Sequence, residues 1–548
     1  MKKRITVAEE MVHRLRKEGI NYCFCVPGES YLPLLDALHN DDEMKLISTR
    51  HEGGAAFMAE AYAKCTQKPG VVLATRGVGA SNLAIGVHTA YQDSTPMIVI
   101  LGQVHRKVLG KEGFQEIDLP KYFEPIAKWT IEITDPERIS EIMAKAVRIA
   151  QSGRPGPVVI SIPEDVFNKE IEPTTNHIKF NRSTPQPSQN ELKRVMKLLK
   201  SARAPLLIAG GGIKSAHAEK ELREFSEIVK LPVFVSFRRH DIFPHNHEHF
   251  SGHLGLSKSN HTEKIFTDAD VIIALGTRLS EVTTKNYSLI NSRHKLIHID
   301  IDDRILGKSF EPEIGIVADA KEALQSFTKM AFDPPWKTWT NKVRQSFESE
   351  RRTIAKVAES TFNTFVIKTL EEKLPKDALL TNDAGNFASW LHEFYTFQLP
   401  HTYVGPTSGA MGYGLPAAIG SKIAYPHKKV VALAGDGGFM MTAQEIETAV
   451  RYHIPVICLV FNNRMYGTIR MHQEIHYPNR VIGTDLGEIS FSQLAESMGA
   501  QGFTVETKEQ FTAAFEHALK ADKVTVIEII TDREQINVQQ TIHDIRNY

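Results

Sequence analysis

The stretch "VALAGDGGFMM", Val431 to Met441, carries the reading of the whole chain. Val431 to Ala434 are apolar, as a strand buried on both faces requires. An acid follows at once, because Asp436 stands between Gly435 and Gly437. A buried carboxylate is costly unless it is paired or holds a cation. The next apolar run, "PVICLVFNN", ends in Asn462 and Asn463. Two parallel strands joined by one helix bring their carboxyl ends side by side, where such sheets take ligands. Asp436 and one of the two asparagines then face one small space. A carboxylate, an amide oxygen and backbone oxygens make a hard-oxygen site, suited to Mg²⁺ that keeps positions for water and phosphate. The glycines let N–H groups and a helix start approach an anion. No Gly-Lys-Ser/Thr follows, so this is not a Walker A loop. These residues alone leave two readings open, a metal–diphosphate site or an Asp N-cap with an Asn turn.

The same pattern recurs outward from this point. "GVVLATRG", "PMIVILG", "APLLIAGGG" and "DVIIALG" are short apolar runs that end at Gly or a turn. Alternating with helical patterns, they predict an α/β fold of doubly wound parallel sheets. The 548 residues suggest about three domains. "NRSTPQPSQ" (Asn181 to Gln189) and "AFDPPWKTW" (Ala331 to Trp339) read as linkers. The expected domains are 1–180, 190–330 and 340–548. A weak repeat links them: Val71 to Pro96, Leu207 to Pro232 and Val430 to Pro455 each span 25 residues. Laying the first unit on the last puts Gly77 opposite Asp436, so the acid is an addition to a common loop.

Lys+Arg and Asp+Glu are both 65, which argues against nucleic acid or an anionic membrane as the main partner. "MKKRITVAEEMVHRLRKEGI" reads as an amphipathic helix, not a signal peptide, and no apolar run approaches a bilayer span. Cys23, Cys25, Cys65 and Cys458 do not suggest a disulfide framework in a chain of this size; Cys23 and Cys25, alternating in "YCFCVPG", read as small buried hydrophobes, and the expected compartment is cytoplasmic.

Gly-Asp-Gly followed at this distance by Asn-Asn matches the thiamine-diphosphate motif. "TSGAMGYGLPAAIG", "RHEGGAAFMAEAYA", "GVGASNLAIGVHTAYQDSTPMIVILG", "GFQEIDLPKYFEPIAKW" and "GRPGPVVISIPEDV" resemble, in order and over nearly the whole length, the acetohydroxyacid (acetolactate) synthase large subunit and its relatives. The resemblance implies an N-terminal pyrimidine-binding domain, a nucleotide-binding-like middle domain and a C-terminal diphosphate-binding domain. It implies a homodimer or homotetramer with active sites between subunits, and it admits a small regulatory subunit.

Site roles follow from the same resemblance. Glu52 matches the glutamate that hydrogen-bonds the pyrimidine ring and promotes loss of the thiazolium proton. Asp436 and Asn463 match the metal ligands, completed by the backbone oxygen of Met465. Gly435, Gly437 and Gly438 would approach the diphosphate, and Asn386 would contact it. Met411, with Gly409 and Gly412 beside it, would prop the cofactor in its bent shape. Gly28 and Asn82 would line it from the N-terminal domain. Gln115 would face the reacting centre and Phe114 would wall the substrate channel. Glu60 is expected to be a solvated charge. The histidines of "RRHDIFPHNHEHFSGH" are expected in a polar loop rather than a metal site.

Three positions depart from the synthase pattern. Val282 stands where an arginine holds the acceptor carboxylate, with Arg278 nearby. His472 replaces a tryptophan, and Glu164 replaces a lysine. Arg470 and His472 are the expected alternative source of positive charge. The implied reaction is decarboxylation of a 2-oxo acid such as pyruvate, then carboligation to a second carbonyl. A decarboxylase, lyase or oxidase of the same family is the alternative, and a catalytically silent regulatory subunit a remote one. FAD stays open, because "IAGGGIKSAHA" suits a nucleotide phosphate but flavin-free relatives keep similar glycines.

Overall fold

The computed structural model describes residues 4–174, 180–257, 259–330 and 332–547. Three six-stranded sheets organise them, parallel throughout. The N-terminal sheet contains β1 (Tyr22–Cys25), β2 (Lys45–Ser48), β3 (Gly70–Thr75), β4 (Met97–Gln103), β5 (Trp129–Glu132) and β6 (Pro157–Pro163), in the order β2-β1-β3-β4-β6-β5. The central sheet contains β7 (Pro205–Ala209), β8 (Val233–Val235), β9 (Phe250–His253), β10 (Val271–Leu275), β11 (Lys295–Asp300) and β12 (Ile314–Val317), in the order β9-β8-β7-β10-β11-β12. The C-terminal sheet contains β13 (Leu379–Asn382), β14 (Tyr403–Val404), β15 (Val430–Gly435), β16 (Ile457–Asn462), β17 (Gln501–Val505) and β18 (Thr525–Ile530), in the order β14-β13-β15-β16-β18-β17. The two outer sheets therefore share one topology. The central sheet has the 3-2-1-4-5-6 order of dinucleotide-binding folds. The expected α/β class of parallel sheets holds.

Of the helices that pack on the outer sheets, those bearing on the site are α1 (Glu52–Thr66), α2 (Arg76–Asp93), α3 (Gly414–Ala424), α4 (Asp436–Phe439) and α5 (Gly467–His476). α1 is rich in Gly and Ala, and all but two of its residues are buried. A helix without a polar face must be enclosed, and α1 lies between α2 and α3. The approach is close: a Cβ on Gly420 would lie 2.2 Å from the Met58 carbonyl oxygen. One apolar core thus joins residues of both outer domains, including Phe24, Leu83, Ala434 and Val460. The central domain has its own core.

Several expectations need correction. Glu60 is not solvated. It is fully buried, accepts from Thr95 Oγ1 and the Tyr413 hydroxyl at 2.6 Å each, and pairs with Lys64 at 2.9 Å. Its place on an all-buried helix leaves it no route to water. The second linker is not free chain: Trp336 and Trp339 are buried on the central core, and a helix runs from Lys337 to Ala358. Its first residue, Ala331, lies outside the described residues, as do Met1 to Lys3 of the amphipathic N-terminus. That segment's helix runs from Val7 to Lys17 behind a Thr6–Glu9 capping box. The histidine segment is a loop of the central domain, as expected, but an enclosed one. His240, His245 and His249 are buried, and the His240 ring stacks on His392 of the C-terminal domain at 4.2 Å. Burial pushes the His245 and His249 imidazoles down, to about 3 and about 4. The register of the repeat also shifts. β3 ends at Thr75 and β15 at Gly435, so at the strand–helix junction Arg76, not Gly77, stands opposite Asp436. All four cysteines are buried and free. Among the described residues no helix is long and apolar enough to cross a membrane.

Candidate cofactor site

Asp436 opens α4 at the carboxyl end of β15 and is buried. Its Oδ1 accepts from the Gly437 N–H at 2.9 Å. Burial pushes its carboxyl up to about 6, and the backbone N–H groups of Gly437, Arg464 and Met465 oppose the shift. Those last two place the loop after β16 against Asp436. Asn462 turns away, donating to Glu528 Oε1 at 2.7 Å in the neighbouring strand. Asn463 is the asparagine left for the site, its Oδ1 accepting from Met465 N–H at 3.2 Å. The donor set is a buried carboxylate, an amide oxygen and a backbone carbonyl, with no side-chain cation paired to Asp436 among the described residues. That chemistry fits a hard divalent cation.

The glycines are spatial necessities. A Cβ on Gly437 would lie 2.5 Å from Tyr466 Cε1, and one on Gly438 would lie 2.7 Å from Asp383 Oδ2. Gly409 and Gly412, at φ +72° and +79°, bracket a half-buried Met411 in left-handed turns. Asn386 is engaged within the domain: it accepts from Thr468 Oγ1 and donates to the Ile536 carbonyl, both at 2.9 Å.

Glu52 begins α1 behind an N-cap from His51, and it is nearly buried. Asn82 Nδ2 donates to its Oε2 at 2.9 Å. Its Oε1 lies 3.2 Å from where a Cβ on Gly79 would stand, so α2 walls the carboxylate closely. Gly28 packs on Thr75 with no room for a side chain, since a Cβ would approach to 2.5 Å. Gln115 adopts φ +63° and accepts the Gly77 N–H at 2.9 Å through its backbone oxygen. Phe114 beside it is 72% exposed. Among the described residues no hydrogen bond or ion pair joins this N-terminal cluster to the one around Asp436.

The substrate-side candidates fall in different places. Arg470 Nε is tied to Glu474 at 2.8 Å, and Arg546 also holds that carboxylate, keeping it down at about 2. His472 is exposed and its ring stacks on His476. Val282 lines a central-domain cavity of about 470 Å³. Arg278 lines it too, with its Nη2 donating to the Gln92 carbonyl at 2.7 Å.

Three family descriptions match the chain in sequence order. They are the thiamine pyrophosphate enzyme N-terminal TPP binding domain at 5–122, the central domain at 192–327 and the C-terminal TPP binding domain at 383–529. The chain belongs to the thiamine pyrophosphate enzymes. It is 33% identical over 545 residues to the probable acetolactate synthase large subunit of Methanocaldococcus jannaschii, covering 96% of this chain and 92% of that one. Against the acetolactate synthase large subunit of Haemophilus influenzae the identity is 32% over 547 residues, covering 97% and 96%. Against acetolactate synthase isozyme 3 large subunit of Escherichia coli it is 32% over 527 residues, covering 94% and 92%. It is therefore a thiamine-pyrophosphate-dependent enzyme of acetolactate-synthase-like type.

Three residues of this thiamine pyrophosphate enzyme escaped the sequence reading. Asp383 follows β13 and is buried; its carboxyl, pushed up to about 6, accepts N–H groups of Ala384, Gly412 and Tyr413. It ties the Met411 turn to α4. The signal was available, because "LLTND" is another acid closing an apolar run. Glu445 is buried in the C-terminal domain, yet accepts the Arg50 N–H at 3.2 Å and so holds the approach to Glu52. Only the packing of the two outer domains makes that contact. The third is Arg76, whose Nη2 lies 2.9 Å from Glu164 Oε2.

Proposed function

We propose that Asp436, Asn463 and the Met465 carbonyl hold Mg²⁺, and that Gly435, Gly437, Gly438 and the start of α4 receive the diphosphate of thiamine diphosphate. The observation that carries this reading is Asp436 itself, a buried carboxylate that burial pushes up to about 6, met by backbone N–H groups and, among the described residues, by no side-chain cation. A divalent cation relieves that burial, and the neighbouring N–H groups suit phosphate oxygens. Bound thiamine diphosphate supplies a carbon nucleophile and an electron sink for decarboxylation. The chain supplies the rest. Glu52, oriented by Asn82, would hold a proton at a ring nitrogen of the bound cofactor; Met411 would pack against the cofactor; Gln115 and Phe114 would face the substrate. Asn386 acts by fixing α5 through Thr468.

The substrate of this reading is a 2-oxo acid, pyruvate first, with carboligation to a second carbonyl, supported by the likeness to acetolactate synthase large subunits. A second copy of the chain completes the site. Support comes from exposed apolar residues on the elements that carry the Glu52 and Asp436 clusters, Val78 and Ile85 on α2 and Met440 and Met441 after α4. The central cavity suits FAD by its chemistry: Gly211 and Gly212 begin a helix for phosphates, and Asp300 ends β11 where a ribose would bind. Visible flavin absorption of the purified protein decides that point.

Incubation with thiamine diphosphate, Mg²⁺ and pyruvate, with products identified by mass, tests the reaction. Acetolactate supports carboligation; acetaldehyde or acetate moves the enzyme to the decarboxylase or oxidase branch. Glu52→Gln should lower turnover by about 10²–10⁴-fold with the cofactor still bound. Full activity in that variant would overturn the role of Glu52.

A further inference from the structure

Arg76 is the first residue of α2, directly after β3. Its φ is +40°, a left-handed conformation unfavourable for a long side chain. Such conformations persist where surrounding contacts over-determine them, and they gather at functional sites. Here Nη1 lies 3.0 Å from Glu29 Oε1 and 3.4 Å from the Phe114 carbonyl, and Nη2 lies 2.9 Å from Glu164 Oε2. The guanidinium also sits 6.0 Å from the centre of the exposed Phe114 ring.

These residues come from separate strand ends on one edge. Glu29 lies in the turn after β1, Arg76 follows β3 and Glu164 follows β6. Glu52 follows β2 on that same carboxyl edge, where parallel sheets take ligands. Within two turns of α2 beyond Arg76 come Gly79 and Asn82, both against the Glu52 carboxylate. Gly77 N–H binds the Gln115 backbone.

The cluster is unequal. The Arg76 side chain is 9% exposed, that of Glu164 is 35% exposed and that of Glu29 is 66% exposed. The cation is fixed, while Glu29 is a solvated partner of the kind that contributes little. The other arginines considered for substrate are engaged elsewhere, Arg278 by Gln92 and Arg470 by Glu474.

We propose that Arg76 binds the carboxylate of the 2-oxo acid, which displaces Glu29 from Nη1 while Glu164 keeps the guanidinium in place. A carboxylate on a planar guanidinium gives orientation as well as affinity. The assignment rests on the reading of Glu52 and thiamine diphosphate above. Glu29 and Glu164 touch the same cation, yet they act in opposite senses. Removing Glu29 removes a competitor; removing Glu164 loosens the anchor.

The test is calorimetric titration of the Glu52→Gln holoenzyme, loaded with thiamine diphosphate and Mg²⁺, using pyruvate and its neutral isostere pyruvamide. Adding Arg76→Ala should weaken pyruvate binding by about tenfold or more and change pyruvamide by less than about twofold. Arg76→Lys, which keeps the charge and loses the fork, should fall between. Glu29→Gln should tighten pyruvate and Glu164→Gln should weaken it. In the otherwise unaltered enzyme, Arg76→Lys should raise KM for pyruvate more than it lowers kcat. Equal weakening of both ligands, unchanged pyruvate binding in Arg76→Ala, or weakening in Glu29→Gln would each overturn the proposal while leaving the function reading intact. Failure of the cofactor to bind, measured first in the same cell, would overturn both.

Discussion

The N-terminal and C-terminal domains have the same strand order and place the same loop after the third strand, yet they put opposite charges there. After β3 comes Arg76, with carboxylates from two other strand ends on its guanidinium. After β15 comes Asp436, buried, with backbone N–H groups turned toward it and, among the described residues, no side-chain cation paired to it. The topology supplies a strand end, a tight turn and a helix start in both. The side chain at one position then decides whether that edge presents a positive or a negative charge. A shared scaffold says where to look and leaves the chemistry to single residues.

The largest expected effect separates those roles. Asp436→Ala should weaken Mg²⁺-dependent binding of thiamine diphosphate by about 100-fold or more, while Arg76→Ala leaves it unchanged. Calorimetric titration of the cofactor into each variant checks this, and equal losses would erase the contrast. Next comes Asp383, which has no acidic counterpart in the N-terminal domain: the residue after β1 is Val26. Asp383→Ala strands buried N–H groups of Ala384, Gly412 and Tyr413 and should lower stability by about 1–3 kcal/mol, read by urea unfolding.

A pH effect of intermediate size should follow Asp436. Burial raises its carboxyl from the ordinary 3.8 to about 6. Between those values the folded state holds the proton that the unfolded state has lost. This group's contribution to the stability of the cofactor-free protein therefore falls as pH rises through that window. The thermal shift produced by Mg²⁺ with thiamine diphosphate should grow over the same window and level off above it. Asp436→Asn should flatten the rise; a shift independent of pH in the unaltered protein would contradict the assignment. The smallest effect concerns backbone alone. A Cβ on Gly409 meets nothing within 4 Å, but its φ is +72°. Gly409→Ala should thus cost about 1–2 kcal/mol, less than Gly420→Ala, whose Cβ would strike the Met58 carbonyl between the domains.

Much of this was legible in the sequence. The apolar runs became strands because four or more successive apolar residues ending at Gly have few other stable uses in a chain of this size. Asp436 was legible because an acid closing such a run is anomalous, and its 27-residue separation from Asn463 fits one helical crossover. Glu60 was misread because helical spacing alone shows one face of α1, whereas α1 is enclosed by α2 and α3 together. The histidine segment was misread for a similar reason: Pro and Asn marked a loop correctly, but not that the loop is pressed against the C-terminal domain. Arg76 went unnoticed because its meaning lies in Glu29 and Glu164, which are far from it in the chain.

The sequence by itself determined the α/β class, the strand ends that carry glycines and acids, and the likeness to a thiamine-pyrophosphate enzyme. These depend on local patterns of apolarity, turn chemistry and short spacings. The tertiary structure alone decided that Asn462 turns away to Glu528, that Glu445 of one domain holds the approach to Glu52 of another, and that Arg76 meets two carboxylates. Those facts depend on sheet order and domain packing, which bring together residues that no local pattern connects.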